Sequence, residues 1–171
     1  FRRVLFRSHK PALNKIMITA SRAGNAGIVW WAICLPFLIN SNWRATGANF
    51  VFGLAWAHLM GEIIIKHIVK RVRPCHTLDD DEQLIDRPRF YSFPSGHTTA
   101  SFAMVGVALM RCKVITFMPI LMLAMLIAFS RIYLRVHYLT DVIAGMILGL
   151  TCGICSVLIF NTVVPMWFPM V

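Results

Sequence analysis

Long apolar runs separated by short polar turns dominate the chain from about residue 24 onward. The run lengths predict five membrane-spanning helices, because crossing a bilayer core takes about 20 apolar residues. The third run is short for a full crossing, and loop residues are expected to extend it. In chain order, the expected spans cover residues 24–40, 45–69, 96–110, 114–129 and 139–164. The predicted fold class is therefore an all-α integral-membrane helix bundle.

The first 22 residues follow a different pattern, in which six basic residues alternate with apolar stretches too short to span. Such a segment predicts a basic helix lying in the headgroup region of the membrane. No compact apolar core with a small-residue cleavage site is present, so a signal peptide is not expected. For residues 1–9 a tag remnant or a disordered start is the alternative. The expected organisation is an interfacial segment over residues 1–22 and a single transmembrane domain over residues 23–171.

Composition supports the membrane interpretation and narrows the range of partners. The chain is 58% apolar and only 14% charged, whereas a soluble domain carries roughly 25% charged residues. The net charge of +10 is unusual beside that apolarity. Nucleic acid is not an expected partner, because the basic residues lack aromatic interleaving and a known binding motif. Attraction to anionic headgroups or to a phosphorylated substrate explains the charge better.

Cysteines and intramembrane polar residues are interpreted as structural. Three of the five cysteines lie inside apolar runs, where packing is favoured over a disulfide framework or a metal site. His58 and Glu62 are four residues apart in the second run, and a structural polar pair is favoured over a functional one. A glycine recurs every fourth residue in the last run, which predicts close helix packing. Those glycines are Gly145, Gly149 and Gly153.

One long polar loop, residues 74–94, contains a cluster of carboxylates at Asp79–Glu82 and a further one at Asp86. Clustered carboxylates raise the possibility of a divalent-cation site. A solvated acidic run beside basic neighbours is the favoured interpretation, so no metal is predicted.

Three short segments carry residues suited to phosphate chemistry. They are Lys66 with Arg73-Pro74, Pro94-Ser95-Gly96-His97, and Ser130-Arg131 with His137 and Asp141. With strict alternation of crossings, all three segments fall on the same face of the membrane. Three cations, a turn with free backbone donors and two histidines are therefore expected to converge. Such a set can hold a phosphate and transfer it through nitrogen.

Each segment has its own expected geometry. Lys66 and Arg73 are close to two helical turns apart, so both can face one side before Pro74 stops the helix. Ser95 is expected to cap the next helix and Gly96 to let its N-terminus approach an anion. His137 and Asp141 lie at i and i+4 on a helix surface. The carboxylate would then fix the imidazole tautomer and present the other nitrogen as a nucleophile.

The ordered set resembles the tripartite signature of the type 2 phosphatidic acid phosphatase family, over Lys66 to Asp141. The resemblance implies that His137 forms a phosphohistidine, that Asp141 orients it, and that His97 protonates the leaving group. It also implies that phosphate is bound by Lys66, Arg73, Ser95, Gly96 and Arg131. No cofactor is implied.

The expected function is a metal-independent lipid phosphatase in the membrane, with a phosphorylated lipid as its partner. A polyprenyl diphosphate, specifically undecaprenyl diphosphate, is the preferred substrate. Phosphatidylglycerophosphate, phosphatidate and lipid A phosphate are alternatives. Phosphotransfer from one lipid to another acceptor would use the same chemistry. A non-catalytic lipid-binding protein is disfavoured, because the histidines and Asp141 are all intact. The sequence leaves the oligomeric state open.

The charge distribution and the family resemblance predict opposite orientations of the protein in the membrane. All Lys and Arg residues except Arg44, Arg111 and Lys113 fall on the face that carries the three segments. The positive-inside rule would place that face in the cytoplasm. The family resemblance implies the opposite, a bacterial inner-membrane protein with its site on the periplasmic or extracellular face. Because several of the charges would bind substrate, the family-based orientation is preferred.

Overall fold

The structure is a computed structural model that describes residues 10–77, 84–88 and 91–163. Within these residues all regular structure is helical, which confirms the predicted all-α class. The α-helices are α1 (Pro11–Ala23), α2 (Ile28–Ile39), α3 (Arg44–His58), α4 (Lys66–Val69), α5 (Gly96–Arg111), α6 (Val114–Tyr133) and α7 (Leu139–Val163). Short 3₁₀ turns cover Asn25–Gly27, Ser41–Trp43 and Pro74–Thr77.

Helices α1 and α2 are joined by a sharp bend of 59°. Ala26 and Gly27 both have positive φ in the connecting turn, at 49° and 68°, so the backbone cannot continue as a right-handed helix there. Helix α1 buries Met17 and Ser21 against the rest of the bundle. The predicted basic helix therefore exists from Pro11, and it packs on the protein. Residues 1–9 lie outside the described residues.

The second predicted span is one long helical segment with a change of pitch. A π-helical stretch, Leu59–Ile65, separates α3 from α4. Such stretches occur frequently at functional sites. The helix ends at Val69, where Lys70 adopts a left-handed φ of 50°. It therefore stops before Pro74, and the prediction that Pro74 ends it is wrong.

Helix α5 runs through the centre of the bundle and packs most extensively on α7. The glycines of α7 make this contact close, as predicted. A Cβ at Gly145 would lie 2.9 Å from the Ser95 carbonyl oxygen, and one at Gly153 would lie 3.0 Å from Gly106 Cα. Larger residues there would push the two helices apart.

Three described segments are long and apolar enough to cross a membrane, namely Ser41–Val69, Val114–Tyr133 and Leu139–Val163. The bent pair α1–α2 makes a fourth if it counts as one broken span. Helix α5 has 16 residues and falls short of the expected crossing length. Large apolar side chains on the lipid-facing surfaces of α6 and α7 are exposed, including Ile115, Met122 and Ile147. The protein is an integral membrane protein, while five full crossings remain a prediction.

Candidate active site

Four helix ends meet on one face of the bundle and bring the three sequence segments together. The residues come from the end of α4, the start of α5, the end of α6 and the start of α7. Lys66, Arg73, Arg131 and His137 all lie close enough to the His97 ring to interact with it electrostatically. The convergence predicted from alternating crossings is therefore present in the structure.

Lys66 is 3% exposed, and its ammonium lies 2.6 Å from both carboxylate oxygens of Glu62. The predicted pair of Glu62 with His58 is therefore wrong. Glu62 lies four residues before Lys66, so the two side chains share one face of the helical segment and the carboxylate reaches the site. Burying a charged group demands a partner, and Glu62 supplies it in the absence of an anion.

Arg73 lies beyond the helix, in an extended segment, so the predicted shared helical face with Lys66 is wrong. The guanidinium is nevertheless buried and reaches the site. Its Nη1 donates to the Val136 carbonyl oxygen at 3.0 Å and lies 2.9 Å from His137 Nε2. Burial lowers the pKa of Arg73 from its ordinary value. Since a guanidinium has no acceptor, His137 Nε2 must be the unprotonated nitrogen here.

His137 precedes α7, and only Asp141 lies in its first turn. The prediction that both lie on one helix surface is wrong, but the turn brings them together. His137 Nδ1 is 3.7 Å from Asp141 Oδ2, longer than a hydrogen bond. With Nε2 unprotonated, Nδ1 carries the proton and faces the carboxylate. The arrangement presents Nε2 as the nucleophilic nitrogen.

Asp141 is fully buried and held by several donors. Its Oδ2 accepts from the Ser92 hydroxyl and, at 2.9 Å, from the Tyr138 backbone N–H. Its Oδ1 accepts from Arg71 Nη1 at 2.8 Å. These contacts fix the carboxylate that faces the His137 ring.

Arg71 and Ser92 are site residues that sequence reasoning did not identify. Arg71 resembled an ordinary headgroup-facing arginine, yet it binds Asp141 and Thr140 and stacks 4.0 Å over the Tyr138 ring. Ser92 lies two residues before Pro94 and outside the motif. Both contacts join residues about fifty or more positions apart. No local sequence pattern indicates these two contacts.

The environment of His137 favours the neutral imidazole. The ring is 3% exposed, and burial lowers the pKa of His137 from 6.5 to about 3. The nearby Arg73 and Arg131 charges act in the same direction, while Asp141 opposes them. The nucleophilic form is thus the form present at neutral pH.

Ser95 occupies the N-cap position of α5, as predicted, but its side chain makes no capping bond. Its hydroxyl instead accepts from Thr98 Oγ1 at 2.9 Å. The first-turn N–H groups of α5 therefore keep their capacity to bind an anion. The Ser95 N–H donates to the Asp141 carbonyl oxygen at 3.0 Å and ties this turn to α7.

Packing requires glycine at position 96, in addition to the predicted close approach to an anion. A Cβ at this position would collide with the Glu62 carboxylate. The absence of a side chain lets the Glu62–Lys66 pair lie directly against the α5 N-terminus.

His97 Nε2 lies 2.8 Å from Asn25 Oδ1 in the turn after α1. Because an amide oxygen only accepts, this contact requires a proton on Nε2, the nitrogen from which a general acid would donate. Gly24 makes the contact possible, since a Cβ there would lie 2.8 Å from His97 Cδ2. Asn25 is a further site residue that sequence reasoning did not identify.

Arg131 is 3% exposed and donates to the Ser21 hydroxyl of α1. Its Nε is buried without a partner among the described residues. Buried guanidinium donors are rarely left unsatisfied, so this nitrogen indicates where an anion binds. Arg131 and His97 also line a cavity of about 360 Å³ that opens toward α1.

In the described part of the chain, no group of three or more His, Cys, Asp or Glu residues is arranged to hold a metal ion. The acidic run Asp79–Glu82 lies outside the described residues, so its interpretation remains a prediction. The predicted absence of metal and cofactor is likewise untested.

Together these features define a class of protein. Buried cations surround a neutral histidine whose unprotonated nitrogen faces them, and a second histidine, with a proton on Nε2, lies beside the same cations. Phosphate transfer to nitrogen uses these groups, and the bundle around them is embedded in lipid. The fold and the site define a membrane-embedded phosphatase.

Comparison with known proteins identifies the family. Residues 46–165 match the model of the PAP2 superfamily. A relative named undecaprenyl-diphosphatase, from Sulfolobus acidocaldarius, is 32% identical over 151 residues, covering 88% of this chain and 72% of the relative. The chain belongs to the PAP2 superfamily and is a membrane lipid phosphatase of that family.

Solved structures share the architecture. Aquifex aeolicus LpxE matches with a TM-score of 0.77 and 26% identity over 90% of each chain. A PAP2-type phosphatidylglycerolphosphate phosphatase from Bacillus subtilis matches with a TM-score of 0.72 and 23% identity, covering 95% of this chain and 83% of its own. The latter likeness concerns the fold alone.

Proposed function

We propose that the protein hydrolyses a phosphate or diphosphate monoester of a lipid through a phosphohistidine at His137, without a metal. One observation carries the proposal: His137 Nε2 is unprotonated, buried and 2.9 Å from the guanidinium of Arg73. A phosphate that takes over this guanidinium lies directly in front of the nitrogen. Lys66 and Arg131 then neutralise its other oxygens.

The first step transfers the phosphoryl group to the protein. The Nε2 lone pair attacks phosphorus, the P–N bond forms, and the bond to the leaving oxygen breaks. The electron pair stays on that oxygen and takes the Nε2 proton of His97, which enters the step as the imidazolium and leaves it as the neutral ring. Asp141 stabilises the positive charge that develops on the His137 ring, because its carboxylate faces Nδ1.

The second step regenerates the histidine. Water attacks the phosphohistidine from the side that the leaving group vacated. His97, now neutral, accepts a proton from this water at Nε2, and phosphate departs with the P–N bond broken. Asn25 orients the His97 ring whenever Nε2 carries its proton, before the first step and after the second.

The preferred substrate is a polyprenyl diphosphate, specifically undecaprenyl diphosphate. The Sulfolobus relative is named for this activity, while the Bacillus structure is named for a phosphatidylglycerolphosphate. The three cations recognise phosphate and carry no information on the lipid tail. Phosphatidylglycerophosphate, phosphatidate and lipid A phosphate are therefore the comparison substrates.

The test is phosphate release by the purified protein in detergent, in excess EDTA, from each of these lipids. We expect release from the polyprenyl diphosphate to survive EDTA and to disappear in His137→Gln. Retained melting temperature in the variant shows that it is folded. EDTA-sensitive release would contradict the mechanism, and release from the monophosphates alone would contradict the substrate.

We further propose a location in the cytoplasmic membrane with the site facing outward. Cys75 cannot report on this, because it is buried and burial raises the pKa of its thiol. Single cysteines at the exposed positions of Lys70 and Lys113, in a background without native cysteines, provide a matched pair at opposite ends of the bundle. An impermeant maleimide applied to intact cells should label the Lys70→Cys protein and spare the Lys113→Cys protein; the reverse pattern would overturn the orientation.

A further inference from the structure

The cavity beside His97 is lined by more charge than one phosphate requires. Arg22 at the end of α1 and Arg87 in the loop line it together with Arg131. Asp86 is the acidic residue of the lining. Among the described lining residues three guanidinium groups thus face one carboxylate, and this part of the wall of the cavity of about 360 Å³ attracts an anion.

The position of the cavity relative to the nucleophile identifies which part of a substrate enters it. In phosphoryl transfer the attacking and leaving atoms lie on opposite sides of phosphorus. His137, the nucleophile, does not line the cavity, whereas His97, the acid, and its partner Asn25 do. The cavity therefore lies on the leaving-group side of the site.

The charge of the lining distinguishes between leaving groups. An alkyl phosphate releases an alcohol, which is neutral once His97 has donated its proton. A neutral alcohol is not stabilised by additional cations. A lipid diphosphate releases a lipid monophosphate, which stays anionic and forms strong bonds with guanidinium groups.

We propose that this cavity is a subsite for the leaving phosphate of a lipid diphosphate, bound by Arg22 and Arg87. The inference rests on the proposed function. His137 Nε2 bonds to the terminal phosphorus, and the bond from that phosphorus to the bridging oxygen breaks. The electron pair remains on the bridging oxygen, which departs as part of the lipid monophosphate held by the two arginines.

The test compares initial rates of phosphate release from farnesyl diphosphate and farnesyl phosphate, which share one lipid chain. In Arg22→Gln/Arg87→Gln we expect kcat/KM for the diphosphate to fall roughly 10- to 100-fold, because two charge-assisted contacts are lost. The loss for the monophosphate should be much smaller. Lys113→Gln, an exposed charge at the other end of the bundle, is the control and should leave the ratio of the two substrates unchanged.

Equal losses on both substrates, or no loss on either, would overturn the subsite. Arg22→Lys/Arg87→Lys should restore part of the discrimination, because the charge returns without the planar fork. A binding measurement separates this inference from the proposed function. Methylenediphosphonate, which cannot be hydrolysed, should raise the wild-type melting temperature more than orthophosphate does. If that difference persists unchanged in the double Gln variant, the subsite is wrong whether or not the protein hydrolyses either lipid.

Discussion

The two histidines of the site have opposite surroundings. The His137 side is closed: the ring lies against Arg73, and the carboxylate behind it is held by Ser92, Arg71 and the Tyr138 N–H. The ring of His97 has one hydrogen-bond partner among the described residues, Asn25, and borders a cavity.

The difference follows from the chemistry that each side has to perform. A nucleophile attacks the same atom in every cycle, so a fixed orientation of the nucleophile does not narrow the range of substrates. An acid has to meet leaving groups that differ in size and charge, so its side has to stay open. Substitutions on the closed side should therefore act equally on all substrates, and substitutions on the open side should depend on the leaving group.

The largest effect is expected for His137→Gln, which removes the attacking nitrogen. Turnover should fall by at least about a thousandfold for both an alkyl phosphate and p-nitrophenyl phosphate, because no other group can form the covalent intermediate. Labelling with ³²P-phosphorylated substrate, quenched in alkali, should give a base-stable, acid-labile adduct in the wild type and none in the variant. An adduct that persists in His137→Gln would place the nucleophile elsewhere.

Asp141→Asn tests the rest of the closed side. We expect a loss of roughly 10²- to 10³-fold in kcat, because the amide no longer stabilises the charge on the His137 ring. The loss should be the same for the alkyl and the p-nitrophenyl substrate. A loss confined to the alkyl phosphate would show that Asp141 assists the acid. The difference between the two sides of the site would then be contradicted.

On the open side, His97→Asn should separate the two substrates. An alkoxide needs a proton to depart, so kcat/KM for the alkyl phosphate, which reports formation of the phosphohistidine, should fall about a hundredfold. p-Nitrophenolate departs without a proton, so its kcat/KM should fall by less than about tenfold. Identical losses for both substrates would contradict the role of His97 as the acid.

Asn25→Ala sharpens this result, since Asn25 acts through His97. We expect about a tenfold loss on the alkyl phosphate and little change on p-nitrophenyl phosphate, because only the proton donor is released from its orientation. The basic limb of the pH–rate profile should also shift. Asn42, exposed in the turn at the other end of the bundle, supplies the matched control Asn42→Ala. A uniform loss with an unchanged pH profile would indicate a purely structural role.

The smallest expected effect concerns stability in acid. Burial lowers the pKa of folded His137 to about 3, whereas an unfolded histidine titrates near 6.5. Between these values the unfolded chain binds the extra proton, so the free energy of unfolding falls as the pH drops from 6.5 toward 3. The melting temperature in detergent should therefore decline less steeply over this range in His137→Gln than in His76→Gln, which removes an exposed histidine. Parallel declines would contradict the lowered pKa.

Much of this site could be predicted from sequence because its chemistry lies in residue types with fixed spacing. Lys66, Arg131 and His97 are recognisable in that way, and alternating crossings bring them to one face. The errors concern local geometry. Glu62 is four residues from both His58 and Lys66, and it pairs with the buried Lys66, while Arg73 and His137 lie outside the helices predicted to carry them. A prediction from helical spacing assumes an uninterrupted helix, and the chain is not helical at Arg73 and His137.

Residues that were missed depend on contacts between distant segments. Asn25 and His97 are 72 positions apart, and Arg71 and Asp141 are 70 apart. Their side chains are ordinary for a turn or a membrane surface, and only the packing of α1 and α7 gives them partners. Polar residues whose role comes from such packing carry no periodic signal.

The glycine contact between α5 and α7 has a mechanical consequence. His97 lies at the start of α5, and the His137–Asp141 turn leads into α7. The distance between the proton donor and the nucleophile is therefore governed by how closely two helices approach, from the Gly145 contact beside the site to the Gly153 contact about two turns further along α7. Lateral pressure in the bilayer acts on that approach, so the thickness and composition of the surrounding membrane become variables of the catalytic rate.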